Sequence, residues 1–432
     1  MQSLRYGQLI RQNRNFRNLL AGQVISELGN WFNFIAGLGL VRLVSDASPT
    51  AAGVFFLCRL APFAFASPIA GTFVDRFSRR QVMIASDLTR AVVALSFLLV
   101  RSADDLWIAY TATALGSILG AFFEGAKNAT TPNLTGREGL LAGTALMFSS
   151  RFLLMAIGSA LGGWASAIFG YQVAFVINAA SFLVSAYSVW IIPEEATRDR
   201  STAERMAERK KREPFMRELR DGLRYTVRNH FAATILIMNV IWATGGGAVN
   251  IIFERLGGIY FAATEGWNPD IAVAILWTAS GFGLTLGMMI AHRTSAMLER
   301  RNSHTAFIGW TLIVHGVLFS IAGFMPTLLT FAVVSFISRA IIGVEYAVQE
   351  TLFQRSLPDH IRGRISTLDR GAEMTMFGIS SYASGLGMDF FSPQLLTVLS
   401  GALSAMSGVI WFIRQINTRS YLGPEVQTEF AE

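Results

Sequence analysis

The chain alternates long apolar segments with short polar ones along almost its whole length. A helix needs about 20 consecutive apolar residues to cross a bilayer. Twelve segments satisfy this, and they run over residues 16–43, 50–73, 81–100, 106–126, 140–168, 172–192, 231–256, 271–292, 305–324, 327–350, 366–388 and 394–413. Because helices satisfy their own backbone polar groups in lipid, the pattern predicts an all-α membrane protein with twelve transmembrane helices.

One longer polar insertion, residues 193–230, divides the apolar segments into two sets of six. We therefore predict an N-terminal six-helix bundle over 1–192, a cytoplasmic linker over 193–230, and a C-terminal six-helix bundle with a cytoplasmic tail over 231–432. A shift of 222 residues lays the fourth segment and its following loop over the tenth, with matching helix ends. Such an internal repeat is typical of secondary transporters.

The linker carries an apolar residue at every fourth position, with arginines beside this stripe. The apolar residues are Phe215, Leu219, Leu223 and Val227, and the arginines are Arg217, Arg220, Arg224 and Arg228. This spacing predicts a basic amphipathic helix at the inner membrane surface, starting after Pro214. It either joins the two bundles or forms a calmodulin-like partner site.

Composition and charge placement limit the class of protein. The chain is 52% hydrophobic and 15% charged, and 28 of its 36 Lys and Arg residues fall on one side of the predicted topology. By the positive-inside rule, that side and both termini are cytoplasmic, in a bacterial-type inner membrane. The excess charge of +7 therefore reports a basic inner face and not a nucleic-acid partner. Five His and one Cys offer no cofactor, metal or disulfide framework.

The turn between the second and third segments carries a compact charged motif. Gly71 is followed four residues later by Asp75 and Arg76, and then by Arg79 and Arg80. This spacing resembles the signature loop of the major facilitator superfamily, which lies on the cytoplasmic side. The resemblance implies a conformational gate at these five residues. Glycine would allow close helix approach, the Asp would accept hydrogen bonds, and the arginines would hold the loop inside.

Further stretches resemble one branch of that family, which holds macrolide-efflux and enterobactin-exporter-like proteins. They are residues 15–17, 22–26, 86–90, 215–225 and 357–364. The resemblance covers nearly the whole chain. It implies two six-helix bundles around a central cavity, moving by alternating access.

Two departures limit what the resemblance implies about coupling. The fifth helix has Ser159 where the antiporter motif has Pro, although Gly158, Gly162 and Gly163 still predict tight helix packing. The centre of the fourth helix, residues 114–119, lacks the Arg of proton-coupled drug antiporters. Proton coupling of the usual kind is therefore left open.

Polar residues inside the first helix are candidates for the binding site, since burying them in lipid is costly. Glu27, Asn30 and Asn33 are three residues apart and lie along a slowly drifting helical face. Glu27 either binds a proton or a cationic substrate group, or is a hydrogen-bonded packing residue.

Four further candidates lie elsewhere. Arg151 in helix five and Arg339 in helix ten can attract an anionic substrate or pair with acids. In helix seven, Asn250 and Glu254 follow the run 245–247 of three glycines. That run indicates either a weakened helix lining the cavity or a packing face.

The remaining charged residues of the helices are expected to be structural. Arg59 and Arg90 lie nearer helix ends, where pairing or snorkelling is expected. Glu124 and Glu345, near the cytoplasmic ends of helices four and ten, are expected to form structural pairs, for example with loop arginines across the bundle.

The sequence lacks the motifs that identify several other classes of membrane protein. No Gly-Lys-Ser/Thr loop, His-Glu-x-x-His pair or Thr-Val-Gly-Tyr-Gly filter occurs, which argues against an ATP-driven pump, a zinc protease and a potassium channel. The sequence thus predicts no enzyme but a monomeric secondary transporter. It would export an amphiphilic small molecule, drug-like or siderophore, with protons and membrane lipids as possible partners. The alternatives are an uncoupled facilitator or lysolipid carrier and, more remotely, a receptor or scaffold.

Overall fold

The computed structural model describes residues 6–74, 76–197, 215–301 and 303–414. Within these ranges the regular structure is helical, and the prediction of twelve long helices is confirmed. They are α1 Arg14–Val44, α2 Pro49–Val74, α3 Arg79–Ser96, α4 Ala103–Gly136, α5 Glu138–Phe169, α6 Tyr171–Trp190, α7 His230–Arg255, α8 Pro269–Arg301, α9 His304–Ala322, α10 Leu328–Ser356, α11 Asp359–Gly387 and α12 Pro393–Arg414. Four short helices flank them: Tyr6–Gln12, Glu194–Thr197, Phe215–Arg228 and Ala262–Glu265.

Eleven of the twelve helices are long and apolar enough to cross a membrane. The exception is α11, whose first half carries six charged residues: Asp359, Arg362, Arg364, Asp369, Arg370 and Glu373. These charges lower its apolar character, although its length matches the others. Outward-facing apolar side chains cover the bundle, for example Val176, Ile177, Leu183, Val184 and Tyr187 on α6. An exposed apolar belt of this kind is expected where lipid replaces water.

Local sequence fixes several helix starts. Asn13 accepts a hydrogen bond from the backbone N–H of Phe16 at 2.9 Å, and Asn229 accepts one from Ala232 at 3.0 Å. A side-chain acceptor there satisfies one of the backbone donors that a helix N-terminus leaves free. The caps therefore set where α1 and α7 begin.

The junction between α4 and α5 is a break in an otherwise continuous helical run. Gly136 has φ 65° and ψ −179°, a conformation that only glycine adopts readily. The helical run from Leu106 therefore passes the expected end near residue 126 and turns only at Gly136. Under the 222-residue shift Gly136 corresponds to Pro358, where α10 has ended and α11 begins. The two halves thus break their helices at equivalent positions by different means.

Helix α7 is not weakened at its three glycines. It runs unbroken through Gly245, Gly246 and Gly247, and the irregular geometry comes later, in a π-helical turn at Leu256–Phe261. A β carbon on Gly245 would lie 2.6 Å from the carbonyl oxygen of Ser400 on α12. The glycines therefore serve close packing, the second of the two interpretations above.

The helices of each half pack mainly among themselves, and two seams join the halves, α2 with α11 and α5 with α8. We call the end with the turns at 45–48 and 266–268 the top, and the end with residues 75–78 the base. At the top of the first seam, Gly53 packs against Tyr382. In the second seam, Gly163 packs against Asp270 and Ala274, and Gly281 against Ala156.

The hydrophobic cores at the top and at the base of the molecule are arranged differently. One core contains both Phe34 and Phe55 of the first half and Ile251 and Val273 of the second. Towards the base, the two halves have separate cores, one around Phe16 and another that runs from Phe231 to Trp411. The molecule is therefore joined at the top and divided towards the base.

Candidate functional site

A cavity of about 220 Å³ lies in the first bundle, and Met374 of α11 also lines it. Its wall contains all three candidates from α1, namely Glu27, Asn30 and Asn33, and also Arg151. It does not include Asn250, Glu254 or Arg339. The structure therefore brings four of the seven predicted binding residues to one cavity and places the other three elsewhere.

Glu27 lies half-buried in this wall. Its Oε2 accepts a hydrogen bond from Asn30 Nδ2 at 3.3 Å. Glu27 also interacts electrostatically with Arg59 of α2. Asn33 Oδ1 is buried and accepts no hydrogen bond within the described part of the chain. The cavity thus offers both a carboxylate and an unsatisfied amide oxygen to a ligand.

Arg59 is a cavity residue that sequence reasoning assigned to pairing or snorkelling. Its guanidinium lies over the Phe34 ring at 4.4 Å and 5.8 Å from the Trp31 ring centroid. Arg59 also interacts with Arg151, which is of the same sign. Aromatic faces and one acid thus offset the charge of Arg59, which has a second cation, Arg151, in its surroundings.

Two other charged pairs occupy the base side of the cavity. Glu124 pairs with Lys127 at 2.6 Å, one helical turn along α4. Arg90 pairs with Asp87 on α3 and lies over Phe182 at 4.4 Å. Pairing was therefore the correct expectation for Glu124 and Arg90, but their partners are helix residues and not loop arginines.

The top of the molecule carries an ion network that crosses between the bundles. Arg42, at the end of α1, pairs with Asp270 at the start of α8. It also lies 3.6 Å from Glu254 at the end of α7. Arg255 donates to the carbonyl of Ala47. Arg42 was not singled out from the sequence, because its acid partners lie more than 200 residues away along the chain.

The second bundle holds Arg339 in a different setting. Its guanidinium lies 5.4 Å from the Phe319 ring centroid, and its Nε has no hydrogen-bond partner in the described residues. Neighbouring His315 is fully enclosed, with Nδ1 2.6 Å from the hydroxyl of Ser338. Asn250 donates to Ser381 at 2.9 Å, a contact between α7 and α11. The last contact is consistent with helix packing.

Comparison with known proteins assigns the family. A sequence profile described as "Major Facilitator Superfamily" matches residues 19–369, most of the chain. The chain belongs to the major facilitator superfamily. The expected fold and the resemblance found in the motifs are thereby confirmed.

Two relatives and a solved structure match almost the full length of the chain. The uncharacterized MFS-type transporter YfiS of Bacillus subtilis is 25% identical, over 96% of this chain and 97% of that protein. Macrolide efflux protein A of Streptococcus pyogenes is 23% identical, over 90% and 93%. A crystal structure of a bacterial homologue of the iron transporter ferroportin, in an inward-facing state, superposes with a TM-score of 0.67 at 16% identity, over 94% and 99%.

The structure describes the superfamily's signature loop, residues 71–80, except for Asp75, which lies outside the described residues. Arg79 donates to the carbonyl of Ala129 at 2.9 Å, and Arg80 donates to that of Trp190, so both tie the loop to neighbouring helices. Close approach does not explain Gly71, because a β carbon there would meet nothing within 4 Å in the described part of the chain.

The small residues of α5 lie at close contacts. A β carbon on Gly158 would lie 2.6 Å from Cβ of Trp31, and one on Gly162 would lie 3.0 Å from Cα of Phe32. One on Gly163 would lie 2.8 Å from the carbonyl oxygen of Asp270. The motif therefore packs α5 against α1 on one side and against the second bundle on the other.

Proposed function

We propose that this protein is a secondary transporter that exports an amphiphilic small molecule by alternating access. The observation that carries the proposal is the polar cavity in a molecule whose halves share a core at the top and have separate cores towards the base. Named relatives include macrolide and multidrug efflux proteins, which supports export. Rocking the two bundles about such a cavity exposes it to each side in turn.

In this mechanism the top network is the closed outer gate. Arg42 holds α1 of one bundle to α7 and α8 of the other through Glu254 and Asp270. Opening the top breaks these ion pairs and needs compensating contacts at the base. We assign that role to the signature loop, with Asp75 and its arginines closing the inner gate when the outer one opens.

The orientation follows from charge. The base carries most of the Lys and Arg residues, so we place it and both termini in the cytoplasm of a bacterial-type inner membrane. The helix Phe215–Arg228 then lies at the inner leaflet and joins the bundles within the linker 193–230. We expect a monomer, because the shared core and both seams form within one chain and the apolar belt is covered by lipid.

The cavity suits a ligand with both aromatic and charged parts. Aromatic rings at Trp31 and Phe34 support the guanidinium of Arg59, and Glu27 supplies the opposite charge. An amphiphile with an acidic group can bind at Arg59 and Arg151, and a cationic one can bind at Glu27. Drug-like compounds and siderophores meet these requirements. Within this proposal, Glu27 remains the leading residue of the first bundle for coupling to protons.

The test is flux through purified protein in liposomes, across a panel of a macrolide, a cationic dye, a catecholate chelator and a lysolipid, with and without a pH gradient. Arg59→Ala should raise KM for the transported compound at least tenfold, the equivalent of about 1.4 kcal/mol. Arg101→Ala removes an exposed arginine near the top and should leave KM unchanged. Flux of lysolipid alone, insensitive to pH, would favour the uncoupled lipid carrier, and no saturable flux would favour a receptor or scaffold.

A further inference from the structure

Four carboxylates face one another across α10 and α11 in the second bundle. They are Glu345 and Glu350 on α10, and Asp369 and Glu373 on α11. Glu345 is 1% exposed, and Asp369 and Glu373 are each 5% exposed. Arg370 is the cation that interacts with this cluster, at 4.0 Å from Glu350. The described groups therefore leave an excess of buried negative charge.

Two of the four acids have clear partners. Asp369 accepts two hydrogen bonds from Asn239 Nδ2 of α7, at 3.1 and 3.0 Å, and Asn239 accepts one from Gln349 at 2.9 Å. Glu350 accepts a hydrogen bond from Gln354 at 2.9 Å. Hydrogen-bond donors and Arg370 thus compensate the outer part of the cluster.

Glu345 has no such compensation. Its Oε1 is buried without a hydrogen-bond partner in the described part of the chain. The charged group with which it interacts is Glu373, another acid. Glu373 in turn faces Arg370, Asp369 and Glu350, and the phenol of Tyr346 lies beside it. An ionised carboxylate in this position would be both desolvated and repelled by the neighbouring acid.

In the first bundle, an acid at nearly the equivalent position is neutralised by a basic side chain. Glu124 lies one residue from the place equivalent to Glu345 under the 222-residue shift. Three residues after Glu124 stands Lys127, which pairs with it at 2.6 Å. Three residues after Glu345 stands Val348, which cannot pair. Within the described side chains, the expected pairing partner of Glu345 is not found.

We propose that Glu345 and Glu373 form a proton-binding site in the second bundle, in which the two carboxyls together bind one proton. A proton removes one of the two like charges, and with it the repulsion between the carboxyls. A metal ion fits less well, because no group of three or more acid, His or Cys side chains in the described residues has the arrangement to hold one.

The proton site lies next to parts of the molecule that move during the proposed transport cycle. Met374, the next residue after Glu373, lines the cavity of the first bundle. Helix α11 also forms the seam with α2 that must rearrange when the bundles rock. Release of the proton in one conformation and uptake in the other would couple export to a proton gradient. This coupling rests on the proposed function, whereas the proton site does not.

The test of the site is infrared spectroscopy of the full-length protein in nanodiscs, titrated with pH. The wild type should show the carbonyl stretch of a buried protonated carboxyl, and Glu345→Gln should lose that band. Glu299→Gln changes an exposed acid of α8 and should keep it. If Glu345→Gln fails to fold, Glu373→Gln provides the same readout. A wild type without the band, or a band that persists in both variants, would overturn the proposal. Loss of the band on adding sodium at constant pH would also overturn it, in favour of a metal-cation site.

Flux measurements separate this proposal from the proposed function. With the transported compound, Glu345→Gln should lose the response to a pH gradient and keep downhill exchange. If the wild type moves nothing but the infrared band is lost in Glu345→Gln, the proton site stands and the transporter proposal fails. If Glu345→Gln still concentrates substrate against its gradient, as the wild type does, the site does not couple transport.

Discussion

At the scale of single residues, three acids inside the first bundle each face a basic residue. Glu27 faces Arg59, Glu124 faces Lys127, and Asp87 faces Arg90. Arg151 adds a further cation beside Arg59 and lines the cavity. A charged substrate that binds in this cavity therefore competes with the charged side chains that already pair there.

Glu27→Gln tests this competition. If Glu27 carries the coupling proton, the variant should lose uphill, gradient-driven transport while downhill exchange stays measurable, because the amide binds no proton. Proteoliposome flux under an imposed pH gradient measures both quantities. Asn33→Asp, which adds an acid to the same wall, is the matched comparison and should keep a pH response. If Glu27→Gln still concentrates substrate, Glu27 is a packing or substrate-binding residue only.

Residue roles could be predicted from the sequence where they follow from local spacing. Glu27, Asn30 and Asn33 share a wall because residues three apart lie near one another on a helix. The pairing of Arg42 with Asp270 and Glu254 could not be predicted, since it depends on how two distant bundles dock. That Glu345 lacks a partner among the described residues was equally hidden, because it depends on which side chains α11 presents.

At the scale of elements, the helices were found because long apolar segments leave few alternatives, whereas breaks within them depend on tertiary packing. The glycines of α7 illustrate this limit. A run of three glycines is intrinsically poor in a helix. Close contacts with α11 and α12 nevertheless keep α7 continuous through Gly245, Gly246 and Gly247.

A pair of glycine variants tests the role of close packing. Gly162→Ala should lower the thermal stability, because its β carbon would lie 3.0 Å from the backbone of Phe32, and overpacking costs about 1–3 kcal/mol. Gly71→Ala should leave stability unchanged or raise it by about 0.5–1 kcal/mol, because the site is open and alanine favours helix. Thermal unfolding of the purified variants in one detergent measures both. Equal effects would contradict the packing argument.

The helix Phe215–Arg228 is the element whose role is tested through its exposed apolar face. Leu223 and Val227 are 47% and 72% exposed, with Arg224 and Arg228 beside them. If this face rests on the inner leaflet, Leu223→Asp should reduce folded yield or transport rate without changing the order of substrate preference. Leu223→Met is the conservative control. Fluorescence-detected size-exclusion chromatography and panel flux provide the readouts, and an unchanged yield and rate would make the helix a passive linker.

At the scale of the whole molecule, two different kinds of contact hold the halves together. The seams of α2 with α11 and of α5 with α8 use small residues, which permit sliding and separation. The network at the top uses charge, and Arg42 is the cation that Asp270 and Glu254 share. Breaking a buried ion pair leaves its partners uncompensated, so the equilibrium between the two conformations should respond sharply there.

The last prediction concerns this gate. In Arg42→Gln the acids Asp270 and Glu254 lose their shared cation, and Glu254 keeps only the more distant Arg255, at 3.9 Å. Removing one partner of a buried charge pair costs at least about 2 kcal/mol, so the top-open population should rise at least tenfold. A thiol introduced as Ala51→Cys, in a Cys58→Ser background, is buried in the shared core when the top is closed. Its labelling by a membrane-impermeant maleimide should therefore accelerate by a similar factor.

Arg101→Gln is the control for this measurement, because it removes an exposed arginine near the top. Its labelling rate should equal that of the parent protein. The direction of labelling also reports orientation: with the base in the cytoplasm, the reagent must act from outside the cell. If Arg42→Gln leaves the rate unchanged, the ion network does not control the gate, and the shared apolar core around Phe34 and Val273 becomes the element that keeps the top closed.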